Sequence, residues 1–371
     1  MRAILVGICR GKENKDQVRE SLKELKGLVK ALGGKPLGYI IQKRNNPDPK
    51  YFIGEGKVKN LSEIVRGTKA EAVVFDDPLT SSQIKNIENT LGVKILDRSD
   101  LVLEIFSQRV RTKEAKLQVE LAKLIHQLPR IYGKGSEMSR LGGSVGTRGP
   151  GEQESEIRRR VLKAKIHKIK KELEEIKKRR KEQRKKREKS ANIIKVAITG
   201  YTNAGKSTLM NILTKSKVFT ANMPFATLDT KTSVRYTERG KSILFTDTVG
   251  FIKKIPPELI ESFKATLEEV KEADIILHVV DISDKNWTEH ITTVKGILKE
   301  IGADEKPVIY VLNKADKLIR EEKEISTLNH SAIIEGHSVI VSAERGWGIE
   351  RLIDKILEVH SDNTGSEEQV F

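Results

Sequence analysis

The 371-residue sequence predicts an α/β protein in three parts, followed by a short polar tail over 361–371. These are a small N-terminal parallel α/β domain over 1–98, a long antiparallel helical hairpin with a glycine-rich loop over 99–190, and a domain over 191–360 whose mostly parallel sheet is flanked by helices. Three observations lead there. Short apolar runs alternate with amphipathic segments in the first hundred residues. Leucines and isoleucines then recur at spacings of three and four through the middle. Near residue 200 an apolar run passes through a glycine-rich loop into a second amphipathic segment. Strands that alternate with helices build parallel sheets.

In the first part the apolar runs are Ala3–Ile8, Leu37–Ile41, Ala72–Phe75 and Val93–Leu96, with amphipathic stretches near 16–32, 56–66 and 80–91 between them. Ile53-Gly54-Glu55-Gly56-Lys57 is glycine-rich, and a tight loop before a helix explains it without a ligand. From Ser99 the pattern becomes a long helix, with Ser99 and Asp100 able to cap its start and Pro129 marking its end. Val110, Leu117, Leu121, Leu124 and Leu128 form its apolar seam. Glycines crowd 133–151, where no core can form, so a mobile or partner-ordered loop is expected. A second helix follows with Leu162, Ile166, Ile169, Leu173 and Ile176, a narrow seam suited to one partner helix.

Composition narrows the classes of function. Charged residues make up 33% of the chain against a usual quarter, and the formal net charge is +17. Residues 151–190 hold 18 Lys or Arg against 8 Asp or Glu, ten of the seventeen excess positive charges. Such a balance suggests a polyanionic partner, nucleic acid or an anionic membrane surface. Nucleic acid is favoured, because this segment lacks the aromatic or leucine face that would enter lipid. The candidate RNA contacts are Arg148, Arg158, Arg159, Lys178, Arg179, Arg180, Lys185 and Arg187. Cys9, the one cysteine, cannot form an internal disulfide and sits in an apolar run. No signal peptide and no apolar run of roughly 18 residues is apparent, so a soluble, cytoplasmic, monomeric protein is expected.

Chemistry concentrates after residue 190. Gly200-Tyr201-Thr202-Asn203-Ala204-Gly205-Lys206-Ser207-Thr208 fits GxxxxGK[ST], preceded by the strand-like run Ile193–Thr199. Backbone N–H groups of Asn203 to Thr208 can ring phosphate oxygens, Lys206 supplies a cation for the β/γ-phosphates, and Ser207 offers a hydroxyl to Mg²⁺. Asp247-Thr248-Val249-Gly250 follows the strand Ile243–Phe245; its carboxylate can hold the metal, and Gly250 lets its N–H approach the γ-phosphate. Thr227, in Phe225-Ala226-Thr227, is assigned to Mg²⁺ and the γ-phosphate, with Thr230 and Thr232 as competitors. Lys206, Thr227 and Gly250 are therefore the catalytic candidates.

Asn313-Lys314-Ala315-Asp316 follows the strand Val308–Leu312 and speaks to the base. A carboxylate can accept two hydrogen bonds from guanine N1 and N2, whereas adenine offers no matching pair. Lys314 can lie along the base plane, Asn313 can tie its loop to the phosphate loop, and Ser342-Ala343 can present an N–H to guanine O6. The ligand implied is GTP or GDP.

These motifs resemble the translation-factor-like branch of P-loop GTPases. Tyr51-Phe52-Ile53-Gly54-Glu55-Gly56-Lys57, Leu117-Gln118-Val119-Glu120-Leu121-Ala122, Leu128-Pro129-Arg130 and Gly149-Pro150-Gly151-Glu152 look like the HflX family, as do Gly200–Ser207 and Phe225–Thr230. That resemblance spans about 1–360 and implies a GTPase that binds the large ribosomal subunit and its RNA, with relatives implicated in separating ribosomal subunits under stress. Two departures limit it. Where the family usually reads Gly-Glu-Thr-Gln-Leu-Glu, this chain has Gly151-Glu152-Gln153-Glu154-Ser155-Glu156. Some relatives also carry a further C-terminal domain, whose functions are not carried over.

Phe251 stands where Ras-like enzymes place a water-orienting Gln, and a phenyl ring cannot hydrogen-bond water. Slow hydrolysis, raised by a partner or an ion, is the expectation. Asn203 admits two readings, a loop-stabilising residue or a ligand for K⁺. The alternative function is an RNA- or ribosome-binding assembly or dormancy factor that uses GTP as a conformational ligand. His290, His330 and His360 show no metal-site spacing and are read as ordinary residues.

Overall fold

The computed structural model describes residues 1–11, 14–133, 150–187, 193–215, 224–225, 231–237, 240–256, 258–259, 269–328 and 336–367. It divides into two units, Met1–Lys178 with Lys254–Ser262 and Arg179–Lys253 with Phe263–Phe371.

In the first unit the apolar runs become strands β1 (Arg2–Cys9), β2 (Lys35–Lys43), β3 (Ala72–Phe75) and β4 (Lys94–Asp97). They pair in parallel in the order β2-β1-β3-β4. Helices α1 (Lys15–Ala31), α2 (Glu55–Thr68) and α3 (Ser81–Leu91) make the crossovers. The chain marks the helix starts itself. Asn14 with Gln17 and Thr80 with Gln83 form reciprocal capping boxes at α1 and α3, each satisfying two otherwise orphaned N–H groups. Gly54, in the glycine-rich run, is the N-cap of α2, so that run is a helix entry as expected. Ile4, Val6, Val73 and Phe75 meet Val58, Leu61 and Ile87 in the core. Cys9 closes β1, fully buried.

The long helix expected from Ser99 is instead two helices, α4 (Arg98–Arg109) and α5 (Lys113–Gln127). Asp97, not Ser99, is the N-cap, and Asp100 completes its capping box from the third helical position. Val110 leaves the helix at φ −65° and ψ 130°, and Thr112 restarts it by capping Ala115 N–H. A β-branched residue followed two positions later by a strong N-cap favours this break. Val110 therefore drops out of the predicted seam.

Most of the rest of the seam forms, without Leu128, which lies in the 3-10 turn after α5, and without Ile176. Leu121 and Leu124 of α5 pack on Ile169 of α6 (Pro150–Arg187), with Leu117, Ile125, Leu162, Ile166 and Leu173 around them. Burying side chains of this size is worth roughly 1.5–3 kcal/mol each. Residues 134–149, with Arg148 and most of the expected glycine loop, lie outside the described residues.

Arg98 is buried at 1% exposure, with Asp76 at its Nη2 and Glu24 at 2.7 Å from its Nη1. Burial opposes ionisation of Asp76, but Arg98 and Lys254 outweigh it and hold the carboxyl below its ordinary range. Arg130 spans Asp97 at 2.6 Å and Asp100 at 2.7 Å, and His126 Nε2 meets Asp100 at 3.2 Å. Asp97, Asp100 and His126 could hold a metal by proximity alone. The guanidinium of Arg130 already answers both carboxylates, so the group is a closed ion network around a helix cap.

In the second unit six strands order as β10-β9-β8-β5-β7-β6. They are β5 (Ile193–Gly200), β6 (Lys231–Tyr236), β7 (Ser242–Asp247), β8 (Ile275–Asp281), β9 (Val308–Asn313) and β10 (His337–Ile340). All pair in parallel except β6, which runs antiparallel along β7. Central strands buried on both faces read as near-continuous apolar runs, as Ile275–Val280 does apart from the buried His278. Helices α7 (Lys206–Thr214), α8 (Trp287–Glu300) and α9 (Ile349–Glu367) are described around the sheet. Helix α9 continues through the expected polar tail to Glu367. Ser361 Oγ and Asn363 Nδ2 donate to carbonyls one turn back, at Leu357 and Val359. No helix among the described residues is long and apolar enough to cross a membrane.

Candidate nucleotide-binding site

The loop between β5 and α7 is shaped by two glycines that nothing else could replace. Gly200 has φ 147°, and a Cβ there would lie 2.3 Å from the Val279 carbonyl oxygen. Gly205 has φ 96°, and a Cβ would meet Asn313 Nδ2 at 2.2 Å. Between them Asn203 adopts φ 63°, a left-handed conformation that Asn tolerates better than most residues.

Lys206 opens α7 with its side chain buried at 6% exposure, and its ammonium donates to the carbonyls of Gly200 at 3.1 Å and Tyr201 at 2.8 Å. Burial pushes its pKa down to about 8, with Asp247 opposing and Lys314 adding to the fall. Ser207 Oγ donates to Asp247 Oδ2 at 2.8 Å, so the helix start and the end of β7 bring a hydroxyl and a carboxylate together. Hard oxygen donors of this kind suit Mg²⁺. Thr208 is half-buried in the same first turn. Thr248 ties the strand end down, its Oγ1 donating to the Ile198 carbonyl at 2.8 Å. Gly250 then crosses directly over Lys206, where a Cβ would sit 2.8 Å from Nζ.

The second group of predicted residues gathers at the ends of β9 and β10. Asn313, 2% exposed, donates from Nδ2 to the Ala204 carbonyl at 2.8 Å and accepts Ala343 N–H at 2.9 Å. One amide thereby joins the phosphate loop to the Ser342-Ala343 turn. Lys314, at φ 69°, donates to the Asn203 carbonyl at 2.7 Å and to Asp281 Oδ2 at 2.6 Å. Ser342 Oγ donates to Asp316, and Arg345 N–H donates to the same hydroxyl at 3.1 Å. Asn203, Ala204, Lys314, Asn313, Asp316, Ser342 and Ala343 thus form one connected set.

Thr227 and Thr230 lie outside the described residues, and Thr232 is on β6. On α6, Arg158, Lys178 and Arg179 are exposed and Arg159 is half-buried, whereas the side chains of Arg180, Lys185 and Arg187 fall outside the described set. Sequence reasoning missed Asp281, which holds Lys314. Its signal was present, since Asp281 ends an apolar strand just as Asp247 does. It also passed over His290, whose ring stacks on Tyr201 with centroids 3.9 Å apart.

A glycine loop between strand and helix, a hydroxyl–carboxylate pair at its mouth and a loop joined to it through one buried amide, on a mostly parallel sheet, define a P-loop GTPase. Residues 19–107 match the family described as "GTP-binding GTPase N-terminal", 109–187 "GTP-binding GTPase Middle Region", and 195–314 "50S ribosome-binding GTPase". The chain belongs to the HflX GTPase family. It is 44% identical to GTPase HflX of Caldanaerobacter subterraneus over 96% of this chain and 79% of that one. Against GTPase HflX of Escherichia coli the identity is 41%, over 92% and 80%. Among solved structures, a GTP-binding protein from Sulfolobus solfataricus in complex with GDP is 27% identical over 98% of this chain and 99% of its own, with a TM-score of 0.47. As a member of this family the chain binds and hydrolyses GTP.

Proposed function

We propose that this GTPase is regulatory, that it associates with the large ribosomal subunit and its RNA, and that its own hydrolysis is slow until the ribosome raises it. Phe251 carries the reading. It follows Asp247-Thr248-Val249-Gly250 directly, is 3% exposed, and offers no side-chain group that could orient a water. Loss of one positioning or electrostatic group is worth on the order of 3 kcal/mol, about a hundredfold in rate. A partner has that much to supply.

Within this reading Lys206 holds the β/γ-phosphates, Gly250 N–H faces the γ-phosphate, and Ser207 with Asp247 and Thr227 takes the metal. Bound there, Mg²⁺ would neutralise charge on the phosphate oxygens. Asp316 accepts from guanine N1 and N2, and Ala343 N–H donates to O6. The exposed cations Arg158, Lys178 and Arg179 support RNA contact, as does the description of the family matched at 195–314. A role in separating subunits or in stress rests on the family alone.

The test is GTP hydrolysis by the purified protein with and without large ribosomal subunits. Stimulation of roughly tenfold or more is expected. Co-sedimentation with the subunit but no stimulation would instead favour a binding factor for which GTP is a conformational ligand.

A further inference from the structure

The segment after Asp247 does not hang free over the phosphate loop; it is stitched to it. Phe251 N–H donates to the Gly200 carbonyl at 3.0 Å, and Thr202 N–H donates to the Phe251 carbonyl at 2.6 Å, so that Tyr201 and Phe251 form a one-residue parallel bridge beyond the ends of β5 and β7. A third bond comes from a side chain. Tyr201 Oη accepts Lys253 N–H at 2.9 Å.

That tyrosine is itself held. Its ring is 7% exposed and lies flat on the His290 ring of α8, with an interplanar angle of 9°. The neighbouring Glu289 pairs with Lys253 Nζ at 2.7 Å. Two consecutive residues of α8 therefore grip the two partners of the Tyr201–Lys253 bond, one through the ring and one through the ammonium.

This arrangement is tight around Gly250, where an added carbon would stand 3.2 Å from the Thr202 Cα of the phosphate loop. A single added carbon on Gly250 would already stand 2.8 Å from Lys206 Nζ. A phosphoryl group that bonded both Lys206 and Gly250 N–H would have to lie between them, several ångströms wide. Admitting it would move the Lys206 ammonium off the Gly200 and Tyr201 carbonyls and lift segment 250–253 from the phosphate loop, whereas a diphosphate needs no contact with Gly250.

We propose that Tyr201 is a positioning residue that sets the balance between GDP and GTP: its hydroxyl, backed by His290, latches Lys253 and so holds Gly250 and Phe251 in the conformation that excludes the γ-phosphate. The proposal rests on the assignment of Lys206 and Gly250 to the γ-phosphate. Every GTP bound breaks the latch, and every GDP bound can leave it closed. A bond present in only one of two states shifts their balance by its own net worth, here about two- to tenfold.

Equilibrium binding of GDP and of a non-hydrolysable GTP analogue to the full chain tests this. Tyr201→Phe, which keeps the ring stack and removes the hydroxyl, is expected to raise the ratio of analogue affinity to GDP affinity by about two- to tenfold. Glu289→Gln, outside the phosphate loop, should move the ratio the same way and keeps the test usable if Tyr201→Phe fails to fold. General damage to the loop would weaken both nucleotides together and leave the ratio alone. A ratio unchanged or lowered in both variants, with wild-type melting, overturns the latch. If the wild-type chain binds neither nucleotide, the underlying assignment of the site fails instead.

Discussion

Asn313→Ala removes a side chain that joins the phosphate loop to the turn after β10. Both its bonds are buried. The Ala204 carbonyl loses its donor at 2.8 Å and the Ala343 N–H loses its acceptor at 2.9 Å, and Asn313, Ala204 and Ala343 are exposed by 2%, 1% and 4%. An unsatisfied buried backbone group costs about 1–3 kcal/mol, so the two together cost about 2–6 kcal/mol before the loops relax. Relaxation means that Ala204 and Ala343 separate until water reaches them, which takes the phosphate and base loops out of register. If only one bond's worth of that cost appears in binding, the affinity for GDP falls at least tenfold, since about 1.4 kcal/mol is a factor of ten. Equilibrium titration with a fluorescent GDP analogue, paired with urea unfolding, measures both halves. Asn313→Asp sharpens the comparison: it keeps an acceptor for Ala343 N–H but sets an oxygen against the Ala204 carbonyl, so it should fall short of wild type as well. Wild-type affinity and wild-type unfolding in Asn313→Ala would show that the amide bridge carries no energy.

Four further outcomes follow from the same geometry. Arg98→Ala should destabilise the first unit by about 1.5–3 kcal/mol, the worth of a hydrogen bond to a charged group, because it leaves the buried Asp76 carboxylate to Lys254 and Ser21, and a urea midpoint equal to wild type would refute this. His126 is pulled down by burial, but its bonds to Asp100 and Glu258 win and raise it to about 9, above its unfolded value. Its contribution is therefore complete below about pH 6.5 and lost as pH rises toward 9, up to about 3 kcal/mol, and His126→Gln should flatten the urea midpoint over that window. Asp316→Ala should abolish preference for GTP over ATP in competition binding, whereas a preserved preference would move base selection elsewhere. If Asn203 serves K⁺, hydrolysis should be faster in potassium than in sodium buffer; equal rates would leave it as the left-handed turn residue its φ of 63° already explains.

The architecture was legible because its signals are local. Ala72–Phe75, an alanine followed by three apolar β-branched or aromatic residues, reads as a short buried strand, and the amphipathic stretches between such runs read as crossover helices. The break at Val110 was not, since the leucine spacing on its two sides stays in phase and hides a change of direction; Thr112 was the available warning. At the site, residue identity together with motif order placed Lys206, Ser207, Asp247 and Asn313. What escaped depended on distant partners. Nothing near Asp281 in the sequence states that Lys314 will reach it, and a tyrosine 89 positions before a histidine gives no hint of stacking. Long-range polar contacts between loops carry no periodicity, so pattern reading cannot find them.

Cys9 turns from a bland core residue into an instrument. The chain has a single thiol, and it lies wholly inside the parallel sheet of the first unit, at the end of its β1 strand. No alkylating reagent reaches it unless that sheet opens. The rate of its modification therefore reports the opening free energy of one unit in the intact chain, with no engineered label and no second reactive cysteine to correct for. Measured with GTP, GDP or a ribosomal subunit present, that one rate would read how far events elsewhere stiffen or loosen the N-terminal sheet.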